Sequence, residues 1–422
     1  MKIIKILLLS MICFVSLQAV DAEIDIIRKS SLIPKIAVVS SNNENAQIVN
    51  KLNKIIANDF SVSGHFDAKE LTIQSINLNN INYSNVDIKK LDLLLLVNLS
   101  KNGTNYIVET TLVDINTKEV RQKNRYSISN INRYPFLAHK IAIAINKTLN
   151  APSIDWMNKF VIFSRYMSSK QSEIVIADYT LTYQKVVVSG GLNIFPKWAN
   201  QEQSAFYYTS YEGLYPTLMK QNLYTAKTTK LLQSDGMLVC SDVSKDGKKL
   251  LLTMAPEGQP DIYMYDTVSK YKTRITKFSG IDVAGNFVEN DSKVVFVSDR
   301  LGKANIFSKK INANGVERLV FHGGNNSQAT TFKDFIVYSS RETDNEFGYN
   351  TFNLYMISTK SDAIRRLTTR GINQFPKFSN DGESILYIKN DDEKSYLGII
   401  RINYAKSFLF ALKTGKLQSI DW

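Results

Sequence analysis

The chain has 422 residues, 44% of them hydrophobic and 11% aromatic, a composition suited to a folded protein of two domains. Its formal net charge of +13 divides into +1 over residues 1–22, +5 over 23–150 and +7 over 151–422. The charge is scattered, with no long Lys/Arg run and no aromatic-basic alternation, which argues against a nucleic-acid partner. A basic surface of this kind either attracts anionic partners at long range or is simply solvated.

The opening MKIIKILLLSMICFVSLQAVDA carries two lysines, an apolar stretch from Ile6 to Leu17 and small residues at Val20 and Ala22. It reads as a secretory signal peptide over 1–22, cleaved after Ala22, and is too short for a membrane span. Cys13 lacks the Leu-small-small context of a lipoprotein cysteine, and no other segment is long and apolar enough to cross a bilayer. A soluble mature chain is therefore expected. Cleavage leaves Cys240 alone, without an internal disulfide, as a small apolar residue on an inner strand. The mature N-terminus, EIDIIRKSSLIP from Glu23, alternates Ile24 and Ile26 with charges, as in a short strand that adds to a partner or folds back on its own domain.

Residues 23–150 then read as a separate α+β domain. KIAVVS from Lys35 is a strand. ENAQIVNKLNKIIANDF from Glu44 places Ile48, Val49, Leu52, Ile55, Ile56 and Phe60 on one helical face. DLLLLVNL from Asp92 and YIVETTLVD from Tyr106 are further strands, and RYPFLAHKIAIAINKTL from Arg133 is a second helix with Leu137, Ile141, Ile145 and Leu149 at helical spacing. The result is a βαββα unit, ended where Ala151-Pro152 breaks the helix.

From 151 to 422 one pattern recurs six times. Apolar runs begin at Val161, Phe206, Leu251, Val295, Val337 and Leu386, at offsets of 45, 45, 44, 42 and 49 residues. A second strand-like run follows each by about a dozen residues, and third runs such as KVVVSGG and RRLTTRG end in glycine. A period of 40 to 50 residues with about four strands per unit predicts an all-β six-bladed β-propeller. The phrases IFPKWANQEQSAFYYTS from Ile194 and QFPKFSNDGESILYIKN from Gln374 lie 180 positions apart, about four periods. Their Phe195-Pro196 and Phe375-Pro376 are expected to begin innermost strands, and Trp198 and Phe378 to pack between blades. Only five segments supply innermost strands. The sixth is expected from the C-terminal SIDW ending at Trp422 rather than from the SIDW at Ser153 to Trp156, which lies too close to Val161.

No catalytic motif stands out. Gly-x-Ser-x-Gly, HExxH, P-loop and dinucleotide patterns are absent, and His65, His139 and His322 lie in three different units without ligand-like spacing. Asp242, Asp282 and Asp421 could face a central channel and hold a hard cation, as in a calcium-dependent propeller lactonase, which is the alternative function; otherwise they are turn acids. The connections from an outermost strand to the next innermost strand all emerge on one face. In five of them the glycine is followed by Leu192, Met237, Ile281, Asn325 or Ile372, and these are expected to ring the mouth, as a docking surface or as covers for the blade ends.

The order of signal, small α/β domain and repeats of the P-x-W-S-x-D-G type resembles the TolB family of the Tol-Pal system over the whole chain. NDFSVSGHFD from Asn58 and AHKIA from Ala138 are similar to phrases of its first domain, and QSIDW to its closing Pro-Ala-Trp-Ser segment, with the proline lost. The resemblance implies a periplasmic, monomeric, non-enzymatic protein without a cofactor. It would bind the lipoprotein Pal at the propeller mouth and TolA through the mature N-terminus, with Ile24 and Ile26 as anchors, and help the outer membrane constrict at division. The segments at Met237 and Ile281 lack the Phe-Pro phrase, which leaves open which loops carry the Pal surface.

Overall fold

A computed structural model describes residues 33–40, 46–71, 76, 78–346, 350–391 and 394–422. Ile24, Ile26 and the signal segment lie outside the described residues. The first part of the chain forms a five-stranded sheet. Its strands are β1 (Lys35–Ser40), β2 (Asp67–Glu70), β3 (Leu93–Asn102), β4 (Asn105–Asp114) and β5 (Val120–Ile128), with helices α1 (Ala46–Ser63) after β1 and α2 (Tyr134–Thr148) after β5. The sheet order is β2-β1-β3-β4-β5; β1 runs parallel to β2 and β3, and the rest is antiparallel. Strand periodicity sends Ile36, Val38, Leu93, Leu95 and Val97 to the helix-covered face, and Ala37, Val39, Leu94 and Leu96 to a second core beneath residues such as Ile81 and Ile88. The βαββα expectation thus missed β2 and β5. Both are edge strands whose sequences, DAKE and VRQKNRYSI, bury too little apolar surface to show a strand pattern.

The remainder is a ring of six four-stranded units built from the described residues. Five start with an inner strand from the body of the chain: Asn193–Trp198, Leu238–Val243, Asp282–Val288, Asn326–Phe332 and Ile372–Phe378. We number these blades two to six. Blade one takes its inner strand from the C-terminus, where Lys416–Asp421 pairs antiparallel with Val161–Ser168. The C-terminal SIDW therefore closes the ring, as its spacing required. The earlier SIDW forms a short 3-10 turn, Asp155–Asn158, and its Trp156 packs 5.3 Å from Trp422, so the two copies meet. Trp198 and Phe378 each lie in an apolar cluster shared by two adjacent blades.

The two parts share a buried polar junction. His139 of α2 contacts Asp59 of α1 through Nδ1 at 2.8 Å and Asp178 of blade one through Nε2 at 3.3 Å. Tyr179 donates its hydroxyl to the other Asp59 oxygen at 2.5 Å, and all four residues are fully buried. Burial would lower the His139 pKa, but the Asp59 charge and the hydrogen bonds that the ring donates to both carboxylates outweigh it and raise it to about 9. Nearby, the fully buried Arg401 of blade six donates Nε to the Ser63 carbonyl at the end of α1 and stacks over Trp156 and Tyr404.

Candidate functional site

The repeated Phe-Pro phrase lies inside its strands, at a bulge. Opposite Tyr208 in blade two stand two residues, Phe195 and Pro196; opposite Tyr387 in blade six stand Phe375 and Pro376. A bulge leaves one N–H without a ladder partner, so proline, which has none, fits without loss. The first bulge residue adopts the left-handed region in four blades: Phe195 (φ 56°), Ala284 (55°), Gln328 (53°) and Phe375 (53°). The expectation that Phe-Pro begins the strands is therefore corrected. The strands start two residues earlier at Asn193 and three earlier at Ile372, and the bulge turns the aromatic rings into the central channel.

That channel widens at its mouth into a cavity of about 340 Å³, walled by Phe195, Phe375, Val239, Val283 and Ile420 with Met237 at its rim. A second cavity of about 590 Å³ opens at the other end, beside the hairpins that carry Asp246 and Asn380. Lys197, Asn286 and Lys377 line both, so they mark the waist. The waist is also where each blade is tied to the next. Asp421 accepts from the Trp198 N–H at 2.9 Å, Lys197 pairs with Asp242 at 3.2 Å, and Asp242 accepts from the Phe287 N–H at 2.9 Å. Asn286 donates to the Ala329 carbonyl at 3.0 Å, the Phe375 N–H to the Gln328 side chain at 3.1 Å, and the Trp422 indole to the Phe378 carbonyl at 2.8 Å, which completes the circle.

Asp242 and Asp421 do face the channel, as the sequence allowed, but they act there as acceptors for Lys197 and for backbone N–H groups. Burial alone would lower the Lys197 pKa; the two carboxylates reverse the effect and hold it above the usual lysine range. Asp282 does not face the channel. It is fully buried within blade four, held by both oxygens to Arg300, whose guanidinium stacks on Phe278, Phe296 and Phe307. Burial also pushes the Cys240 thiol well above its ordinary range, consistent with an unreactive core residue.

Asp282 belongs to a series that the sequence displays but that its reading passed over. Asn193, Asn326 and Asn373 occupy the same place, two residues after a glycine, and each folds its amide back onto its own connection at the Gly190, His322 and Arg370 carbonyls. The phrase Gly-x-Asn thus pins three mouth loops, while the Gly-x-Asp of blade four turns its carboxylate to Arg300. The residue in the middle of that phrase is the expected rim position. Leu192, Met237, Ile281 and Asn325 are structurally equivalent: the carbonyl of each accepts from an N–H at the end of the neighbouring second strand, and Ile372 makes the matching ladder pair with Asn390. They differ in what they offer. Met237 and Ile281 are 42% and 46% exposed, whereas Leu192, Asn325 and Ile372 are half-buried. Only Met237 reaches the mouth cavity, and Asn325 lines a separate cleft with Lys303 and Arg341. The sequence reading missed Phe195, Phe375 and the two waist lysines, although the Phe-Pro-Lys phrase itself was the signal.

Comparison with known proteins gives two family matches, to the TolB amino-terminal domain over residues 22–120 and to the TolB beta propeller domain over 158–422. Among relatives, the Tol-Pal system protein TolB of Wolinella succinogenes is 47% identical over 96% of this chain and 97% of its own length. That of Campylobacter jejuni strain RM1221 is 46% identical over 99% of this chain and 100% of its own. The crystal structure of TolB from Acinetobacter baumannii superposes with a TM-score of 0.77 at 21% identity, covering 92% of this chain and 96% of that one, a likeness of fold.

Proposed function

Since the chain belongs to the TolB family and is thereby a component of the Tol-Pal system, we propose that it is a non-enzymatic periplasmic adaptor, docking Pal at the propeller mouth and TolA through its mature N-terminus, in support of outer-membrane integrity and constriction at division. The observation that carries this reading is the mouth cavity: an apolar cup of about 340 Å³, fixed by a closed ring of inter-blade bonds and edged by exposed Met237, with exposed Ile281 on the neighbouring loop. A rigid, preformed apolar recess lets a partner's knob dock with little ordering cost, and a few desolvated anchors then carry most of the affinity.

The test is a Pal-binding titration with the full mature chain. Changing Met237 and Ile281 together to aspartate is expected to weaken Pal binding by about 2 kcal/mol or more, roughly thirtyfold, with circular dichroism and melting close to wild type. Unaltered binding by that folded double variant would move the Pal site off this face. In the same assay, removal of Glu23–Ser30 should weaken TolA capture and leave the melting temperature nearly unchanged; a large loss of stability with TolA capture intact would identify the segment as part of its own domain. The channel carboxylates engaged by Lys197 support the non-enzymatic assignment over a calcium-dependent lactonase. Purified protein is accordingly expected to turn over neither lactones nor p-nitrophenyl esters above buffer, and a steady rate abolished by Asp242→Asn would overturn that assignment.

A further inference from the structure

Two lysines stand at the channel waist, each directly after a Phe-Pro bulge, and they are not in the same state. Lys197 is paired with Asp421 at 3.0 Å and Asp242 at 3.2 Å. The Lys377 ammonium makes no hydrogen bond or ion pair among the described residues, yet the side chain lines both ends of the channel. Asp242 and Asp421 also accept from backbone N–H groups, so they are committed elsewhere. Above Lys377 the walls are apolar, formed by Phe195, Phe375, Val283 and Ile420. Burial and the neighbouring Lys197 lower the Lys377 pKa to about 8, against the opposing pull of Asp421, Asp242 and Cys240. At neutral pH the group is therefore a charged ammonium without an ion pair of its own, at the floor of an apolar cup.

We propose that Lys377 is an anion subsite that receives one side-chain carboxylate of the protein docked at the mouth, while the walls of the cup cover the apolar atoms carrying that carboxylate. The inference rests on the docking reading above. One free ammonium beside two carboxylates matches a single negative charge, since a dianion such as phosphate would be repelled by Asp242 and Asp421. A desolvated, charge-assisted hydrogen bond of this kind selects the partner as well as holding it.

Calorimetric titration of the mature chain with 3-phenylpropionate, an apolar monoanion, tests the subsite apart from any protein partner, with the uncharged 3-phenylpropionamide as control. The acid is expected to bind at pH 7 at least about tenfold more tightly than the amide, and Lys377→Gln to abolish that preference while Lys377→Arg keeps it. Acid binding should weaken as pH rises through about 8, because Lys377 then loses its proton. Lys377→Gln should melt no lower than wild type, since it removes a buried unpaired cation. Equal binding of acid and amide, or an acid preference that survives in folded Lys377→Gln, would overturn the subsite. Saturating acid should also reduce Pal capture; acid that binds without competing would mean that the occupant is a free small acid and not a partner's side chain. Should the Met237/Ile281 double variant bind Pal normally, the docking reading fails while the acid titration still decides the subsite.

Discussion

Deletion of Ser419–Trp422 is expected to lower stability by about 5 kcal/mol or more and the melting temperature by on the order of 10 °C. The strand Lys416–Asp421 is the inner strand of blade one, and three of the four deleted residues, Ser419, Ile420 and Asp421, are buried. Without Ile420 and Trp422 the apolar cluster shared by blades one and six loses part of its wall. Loss of Asp421 leaves Lys197 with one carboxylate instead of two and the Trp198 N–H without its acceptor; loss of Trp422 removes the bond to the Phe378 carbonyl. Burial of one large aliphatic side chain is worth roughly 2–3 kcal/mol, and breaking a buried ion pair from one side costs about 3–5 kcal/mol. The deletion also strips ladder partners from Val161–Ser168 and so exposes an unpaired edge on blade one, and aggregation on heating should accompany the lower melt. Asp421→Asn alone should show a smaller loss, about 2–3 kcal/mol, since the strand remains and only the charge is removed. A truncated chain melting within about 2 °C of wild type would mean that the N-terminal SIDW substitutes for the missing strand.

His139→Ala is expected to destabilise the protein by about 3–5 kcal/mol, because it strands the Asp59 and Asp178 carboxylates in a fully buried junction. The same cluster predicts a dependence on pH. Folding raises the His139 pKa from 6.5 to about 9, so the folded state holds this proton more tightly than the unfolded chain. The contribution is complete below pH 6.5 and is lost as pH rises through about 9, a change on the order of 3 kcal/mol. Asp59 is shifted in the same direction, since burial outweighs the attraction of His139, and its contribution likewise falls as pH rises. Lys377 titrates in the same range with the opposite sign. The decisive quantity is therefore the difference between wild-type and His139→Gln unfolding free energies at pH 6.5 and pH 9.5. It should shrink with rising pH, and a constant difference would show that His139 is neutral in the fold and acts through packing and hydrogen bonding alone.

Much of this protein is written locally in its sequence. Blade repetition follows from strand runs near every 45 residues, because each blade is a local antiparallel meander whose hairpins depend on nearby residues; Asp246-Gly247 and Asp381-Gly382 mark two of them, with Gly247 and Gly382 at φ 71° and 76°. Ring closure was also legible, since five inner segments for six units require a sixth and the C-terminal spacing fits it. The helices of the first domain followed from apolar residues at helical spacing, whereas β2 and β5 did not, being edge strands with little apolar surface to bury. What only the tertiary structure decided are contacts between distant positions. Asp59 and His139 lie 80 residues apart on two helices, and meet because both helices pack on one sheet face and against blade one. Lys197 and Lys377 read as copies of one phrase, yet one is paired and the other is not. The difference lies in their neighbours around the ring: Lys197 stands between inner strands bearing Asp421 and Asp242 and pairs with both, while Lys377 stands between Thr330 of blade five and the same blade-one strand, whose Asp421 is already taken by Lys197 and the Trp198 N–H. A repeat in sequence sets the backbone of each blade, but the charge at the channel depends on which blades adjoin, and that is fixed only when the ring closes.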